Sequence, residues 1–238
     1  HNVSSAVTLA QERGEGLSSS SRLADAFGSF DEDTANRLLE ESLALRSYER
    51  TTEDLLLEAV AAHADSEGTT AEYEFAWRHA TGWLSALKRL SPPAQRPEGI
   101  LIMDASTPLD LDSLYAQALE LILRRAGVRT LCLSPAIDPA RLGRALRALR
   151  PTALVLTGRR MNLDAMGRLV YAVRGVAREV VVFDYRGAVP ETGASTVCRL
   201  GRKPVAARDV LLAKLEAAAT RARSASPTQA KAAGFDRH

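Results

Sequence analysis

Aromatic residues make up only 5% of the 238 positions, so any core has to be built mainly of Ala, Leu and Val. Cysteine is nearly absent: Cys132 and Cys198 both sit in strand-like runs, where buried free thiols are expected rather than a disulfide. No apolar run approaches the roughly 18 residues that a membrane-spanning helix needs, and no signal-peptide pattern opens the chain. A soluble, cytoplasmic protein with no membrane partner is therefore expected. An excess of one charge is missing too. The net charge of +2 is too small to imply nucleic-acid binding by the chain as a whole.

What is present is 46% apolar and 25% charged residues, over a length that holds one large or two small domains. The chain changes character at Ser91-Pro-Pro-Ala-Gln-Arg-Pro-Glu98, whose prolines can continue neither a helix nor a central strand, so 91–98 reads as a linker. Before it the periodicity is helical. Val3, Ala6, Val7 and Ala10 form one stripe, which Gly14 and Gly16 end. Because the chain begins with His1 rather than Met, residues 1–16 are expected to be the end of a missing N-terminal domain or a connecting helix. Ser18–Ser21 offers caps for a short helix through Leu23, Ala24 and Phe27. Asp31 is the N-cap of the next helix, with Phe30 and Ala35 as a hydrophobic staple and Ala35, Leu38, Leu39, Ser42 and Leu43 facing inward. Thr51-x-x-Asp54 and Thr69-x-x-Glu72 read as capping boxes. The first opens a helix that carries Leu55, Leu56, Ala59, Val60 and His63 and stops at Gly68. The second opens a long helix from Ala71 to Leu90. Four helices over 18–90 pack most simply as an antiparallel bundle.

After the linker, strand candidates Ile100–Met103, Thr130–Leu133, Ala153–Thr157, Val180–Phe183 and Ser195–Leu200 alternate with helices over 111–126, 139–149, 163–176 and 206–222. Continuous apolar runs mean strands buried on both faces. The class is α/β: a helical bundle, then a flavodoxin- or Rossmann-like five-stranded parallel sheet with helices on both faces, over 99–223. Ligands of such sheets bind at the carboxyl ends of the strands, here Asp104-Ala-Ser106, Ser134-Pro135, Thr157-Gly158-Arg159, Asp184-Tyr185 and Gly201. The Ala/Ser-rich tail over 224–238 is expected to be disordered.

Enzymatic signatures are missing. The turn after the first strand has no glycine to cradle a phosphate, and no Gly-x-Ser-x-Gly occurs. Asp104, Asp110 and Asp112 share one loop, but cap and turn chemistry is the ordinary role of such acids. No catalytic or metal constellation emerges, and an enzyme is not expected. Lys203-Pro204 after the fifth strand resembles the Lys-Pro of receiver domains. Thr157, however, stands where their phosphoacceptor Asp would be, which leaves a degenerate receiver-like protein-interaction module as an alternative.

One resemblance is more specific. The order of bundle, linker and α/β domain, with Phe30-Asp-Glu-Asp-Thr-Ala-Asn-Arg-Leu-Leu-Glu-Glu-Ser-Leu, Leu123-Arg-Arg-Ala-Gly-Val-Arg-Thr-Leu and Leu149-Arg-Pro-Thr-Ala-Leu-Val-Leu-Thr-Gly, resembles the effector half of MerR-type transcriptional regulators of the CarH/LitR kind, which carry a cobalamin-binding domain. The resemblance implies an N-terminal DNA-binding domain that meets operator DNA, a homodimer or higher homo-oligomer, and a cobalamin site. The family's site residues are altered here. Where it carries Asp/Glu-x-His-x-x-Gly, this chain has Asp110-x-Asp112-x-x-Tyr115, so a carboxylate replaces the cobalt-ligating imidazole and a phenol replaces the Gly that opens a slot. The Ser-x-Leu turn after the third strand reads Thr157-Gly158-Arg159, and the Gly-Gly after the fourth reads Phe183-Asp184-Tyr185. The bundle Trp and Glu-His that shield the corrin would fall near Asp65 and Phe75-Ala76. Asp112, Tyr115, Thr157, Tyr185 and Ser106 are thus the degenerate site positions. No cobalamin in the His-ligated mode and no other cofactor is expected, cobalamin being the alternative.

His79 and Trp83 share one face of the long helix, while Trp77 lies on another with Tyr73 and Leu84. Packing is their ordinary role. A cleft between bundle and sheet, lined by His79, Trp83, Ser106 and Tyr115 with Trp77 nearby, would instead admit a different small apolar or aromatic ligand. His63 is expected to be packed at the core or its rim.

Overall fold

The computed structural model describes residues 18–64, 69–138, 141–158, 162–190 and 197–225. The stripe over 3–10, Asp65, Gly68, Arg159, Ser195 and the chain beyond 225 lie outside that set.

Helix α1 (Ser20–Gly28) starts where the Ser19 side chain accepts the Arg22 N–H, and α2 (Glu32–Leu45) where Asp31 accepts that of Thr34, as expected. The next two starts differ from the capping-box reading. Ser47 caps the third helix by accepting the Arg50 N–H, so α3 runs through Tyr48–Arg50, a wide π-helical stretch Thr51–Leu57 and Glu58–Ala61. Thr51 is therefore inside the helix. Its hydroxyl is fully buried and pairs with Ser42 at 2.8 Å, across to α2. The cap of α4 (Ala71–Arg89) is Thr70, one residue after Thr69. Phe30, at φ 56°, turns its ring toward Phe75, with centroids 5.5 Å apart, rather than acting as a buried staple.

The sheet consists of β1 (Gly99–Asp104), β2 (Arg129–Leu133), β3 (Pro151–Thr157), β4 (Val181–Asp184) and β5 (Cys198–Arg199), all parallel, in the order β2-β1-β3-β4-β5. That is the flavodoxin-like doubly wound order. Helices α5 (Leu111–Arg125), α6 (Gly143–Leu149), α7 (Leu163–Val176) and α8 (Pro204–Ala225) complete it. The fifth strand is shorter than the sequence suggested. The last helix begins earlier, with Pro204 in its first turn where the missing N–H is harmless, and it includes Ser224 and Ala225, which the sequence reading gave to the tail.

Alternation along the strands assigns the two faces. Ile100, Ile102, Ala153, Val155 and Phe183 point to one side, where they share a continuous core with α5, α8 and the bundle leucines Leu23, Leu38, Leu56 and Leu84. Leu101, Met103, Leu154, Leu156 and Val182 point to the other, against Leu142 at the N-cap of α6, Leu146 and Leu149 within it, and Met166, Leu169 and Val173 of α7. The bundle thus sits outside α5 and α8 and shares their core. The 91–98 segment is pinned as well: the Gln95 and Arg96 N–H groups both donate to Gly127 O at 2.9 Å, and Arg96 pairs with Glu216 at 2.7 Å. Cys132 and Cys198 are free thiols on opposite edge strands, and burial pushes the Cys132 thiol up to about 12. Among the described residues no helix is long and apolar enough to cross a membrane.

Candidate functional site at the carboxyl ends of the strands

In this strand order the chain leaves β1 toward one edge and β3 toward the other, so the crevice that can hold a ligand lies between the carboxyl ends of β1 and β3. The turn after β1 is tied down by Asp104, whose carboxylate accepts from the Ser106 N–H at 2.9 Å and from the Ser113 hydroxyl at 2.8 Å. Asp110 then caps α5 by accepting the Asp112 N–H at 2.9 Å. These acids do turn and cap work. Among the described residues no group of three or more His, Cys, Asp or Glu side chains is placed to hold a metal ion.

Gly158 closes the crevice from the β3 side. It has φ +81°, and a Cβ built on it would fall 2.3 Å from Ser106 N, so only glycine lets these two turns touch. The hydroxyls of Ser106 and Thr157 are buried beside this contact without a hydrogen-bond partner among the described residues.

Next to it, on the face shared with the bundle, Asp112, Tyr115 and Tyr185 come together around a residue that the sequence reading missed, Arg186. Its guanidinium lies 3.7 Å over the Tyr115 ring, its Nε donates to Asp112 Oδ1 at 2.6 Å, and its NH1 donates to Arg202 O at 3.0 Å. Both partners of the ion pair are mostly buried, with 15% and 11% of their side chains exposed. Tyr185 is fully buried, and its hydroxyl reaches Arg202 O at 3.4 Å. Burial pushes both phenols above their ordinary value, which keeps them neutral. Arg186 reaches this position through a left-handed backbone, φ 61°, followed by Gly187 at φ 78°. The Arg-Gly pair after a strand was the available signal of a turn. Nothing in the sequence told where the arginine would point.

The described site positions Asp112, Tyr115, Tyr185, Ser106 and Thr157 thus all lie at the carboxyl ends of the strands. Trp77 is at the border of the site: its indole N–H donates to Asp110 O at 3.1 Å, and Tyr73 donates to Leu109 O at 2.8 Å. Burial, with Asp110 and Asp112 nearby, pushes Tyr73 up to about 12. His79 and Trp83 do not join them. They lie on the other flank of α4 and line an open groove of about 530 Å³ with Glu32, Asn36, Phe75 and Gly82. The cleft expected between His79, Trp83 and Tyr115 is not formed, because the Tyr73–Trp77 face of α4 is the one that meets α5.

His79 packs against Phe27 and Phe75 and bonds Asn36 Oδ1 at 3.1 Å, and burial lowers its pKa below 6.5. The unfolded chain then takes up this proton more readily than the folded one. Stability from this group is complete above about pH 6.5 and is lost as pH falls toward the depressed folded value. The urea midpoint of the parent is expected to drop more between about pH 7.5 and pH 5 than that of His79→Leu. Equal drops would contradict a neutral, buried imidazole.

The residues present do not fit a His-ligated corrinoid. Asp112, which the resemblance sets at the ligand position, is a carboxylate paired with Arg186, and Tyr115, which it sets at the slot, lies beneath that guanidinium. The two described histidines are held in the bundle, His63 on Ala24 O at 2.8 Å and His79 on Asn36.

Fold and site together define a helical bundle packed on a flavodoxin-like α/β unit, with Asp112, Tyr115 and Arg186 joined beside the carboxyl ends of its strands. No protein-family description matches the chain, and no curated protein matches it. Two solved structures are similar to it at a low level. One is a novel cobalamin-binding protein from Desulfitobacterium hafniense DCB-2, with 16% identity and a TM-score of 0.36 over 81% of this chain and 95% of that one. The other is the methanol:cobalamin methyltransferase complex MtaBC from Methanosarcina barkeri, with 14% identity and a TM-score of 0.41 over 82% and 78%. Likeness at this level says nothing about ligand or activity.

Proposed function

We propose that the chain is the effector and oligomerisation region of a MerR-type transcriptional regulator, not an enzyme, which sets the oligomeric state of a DNA-binding domain without a His-ligated corrinoid. The observation that supports this reading is the Asp112–Arg186–Tyr115 assembly, two members of which the sequence resemblance aligns with the cobalt-ligating His and the slot Gly. The succession of bundle, linker and α/β unit supports the family assignment. The symmetry of operator DNA supports a dimer or higher oligomer.

One experiment tests both halves. Light scattering at tens of micromolar should give more than one chain per particle, equally in light and dark and with or without hydroxocobalamin or adenosylcobalamin. The corrin absorbance should stay unshifted throughout. A strict monomer would remove the oligomerisation role, and a micromolar complex with a shifted corrin spectrum would remove the closed site.

A further inference from the structure

The net charge of +2 hides a strong internal separation. Between residues 138 and 180 the chain carries nine arginines, no lysine and only three acids, Asp138, Asp164 and Glu179. Seven of those arginines are described: Arg141, Arg144, Arg147 and Arg150 on or beside α6, and Arg168, Arg174 and Arg178 on or beside α7. All seven are exposed. The two helices pack side by side on one face of the sheet, through Leu142, Leu146 and Leu149 and through Met166, Leu169 and Val173. Their outer sides therefore form one surface.

Several arginines elsewhere in the fold are compensated. Arg37, Arg50, Arg78, Arg96, Arg124, Arg186 and Arg208 all hold carboxylates, whereas none of the seven on α6 and α7 makes an ion pair among the described residues. A field of one sign without internal compensation attracts a polyanion. Guanidinium suits phosphate in particular, because its planar fork donates two hydrogen bonds at once. On α7 stands Tyr171, 83% exposed. Gly167 and Gly175 lie one turn to either side of it, where a Cβ would meet nothing in this chain. Glycine weakens a helix relative to alanine, and the fold itself has no need of these two.

We propose that the α6–α7 face binds the sugar–phosphate backbone of duplex DNA. A protein partner would call for an apolar centre with charges kept to the rim. Among the described residues this surface has arginines throughout and only Leu163, Tyr171 and Val176, spread along one helix, as large exposed apolar groups, the composition of a nucleic-acid interface. The binding is independent of sequence, because the contacts are to phosphates.

The test is fluorescence anisotropy of a labelled mixed-sequence duplex of roughly 20 base pairs, titrated with the whole 238-residue chain at several salt concentrations. Each phosphate neutralised contributes about −0.9 to the slope of log K against log salt. Engagement by five arginines gives a slope of about −4.5, hence a loss of more than a hundredfold between about 50 and 200 mM salt. The triple change Arg144→Glu, Arg168→Glu and Arg174→Glu should weaken binding at least tenfold and flatten the slope by about 2.7. The same charge change placed elsewhere, Arg46→Glu, Arg89→Glu and Arg221→Glu, should leave most of the binding intact. If the glutamate triple melts early, the glutamine triple gives the same reading with less repulsion. The proposal is overturned by an absence of binding at about 100 µM chain in low salt, by a face triple that binds like the parent, or by equal losses in both triples. It is also overturned if the face triple alters only self-association, which would assign the surface to an acidic face of a second copy.

Discussion

Tyr185→Ala is expected to lower the unfolding free energy by about 3–5 kcal/mol and the melting temperature by roughly 6–20 °C. Tyr185 is among the largest fully buried side chains and belongs to the core shared by the sheet, α5, α8 and the bundle. Its N–H is held by Leu156 O at 2.9 Å, so the backbone cannot easily follow the lost ring and collapse the void. Tyr185→Phe keeps the volume and loses only the 3.4 Å contact to Arg202 O, so its loss should stay within about 1 kcal/mol. Thermal and urea unfolding of the two variants decide the matter. If alanine is no worse than phenylalanine, the ring is not filling the crevice.

Asp112→Ala should be nearly as harmful, at about 2–4 kcal/mol. The cause is different. It leaves the mostly buried Arg186 cation without this carboxylate, its guanidinium then resting on Arg202 O and the Tyr115 ring. Arg186→Leu should be destabilising too, because Asp112 then loses that counter-charge. The double variant should lose less than the sum of the singles, since with both gone neither charge is stranded. A double-mutant cycle in urea measures this coupling, expected at about 1–3 kcal/mol. Simple additivity would show that the pair does not lock the site.

The sequence showed the strands, because apolar runs such as Gly99–Asp104 and Pro151–Thr157 can satisfy themselves only between two layers of helices. It also showed the α5 cap at Asp110, since that depends on local spacing. It failed where competing local signals required a tertiary choice. Ser47 and Thr51 are both adequate caps, and only the burial of Thr51 against Ser42 decides for the earlier one. Periodicity grouped His79 with Trp83 correctly but could not tell which flank of α4 would meet α5. Arg186 was illegible for a further reason: its position depends on one left-handed residue at the end of β4, and its partners are 74 and 16 residues away.

The first turn of α8 is completed from far along the chain. The Val205 N–H, one of the donors that a helix start leaves without a partner of its own, is accepted by Glu53 of the π-helical stretch at 2.9 Å, 152 residues earlier. Lys203 and Arg208 reach Glu53, Glu58 and Glu49 around it. During synthesis, then, the bundle emerges before α8 and waits for it with Glu49, Glu53 and Glu58 unpaired to that helix. Loop closure over that distance favours late docking of α8. Until it docks, the apolar strip of Ala207, Leu211 and Leu215 and the core surface it covers both stay open to water, so the nascent chain passes through a stage most open to chaperones and to misassembly with a neighbouring copy.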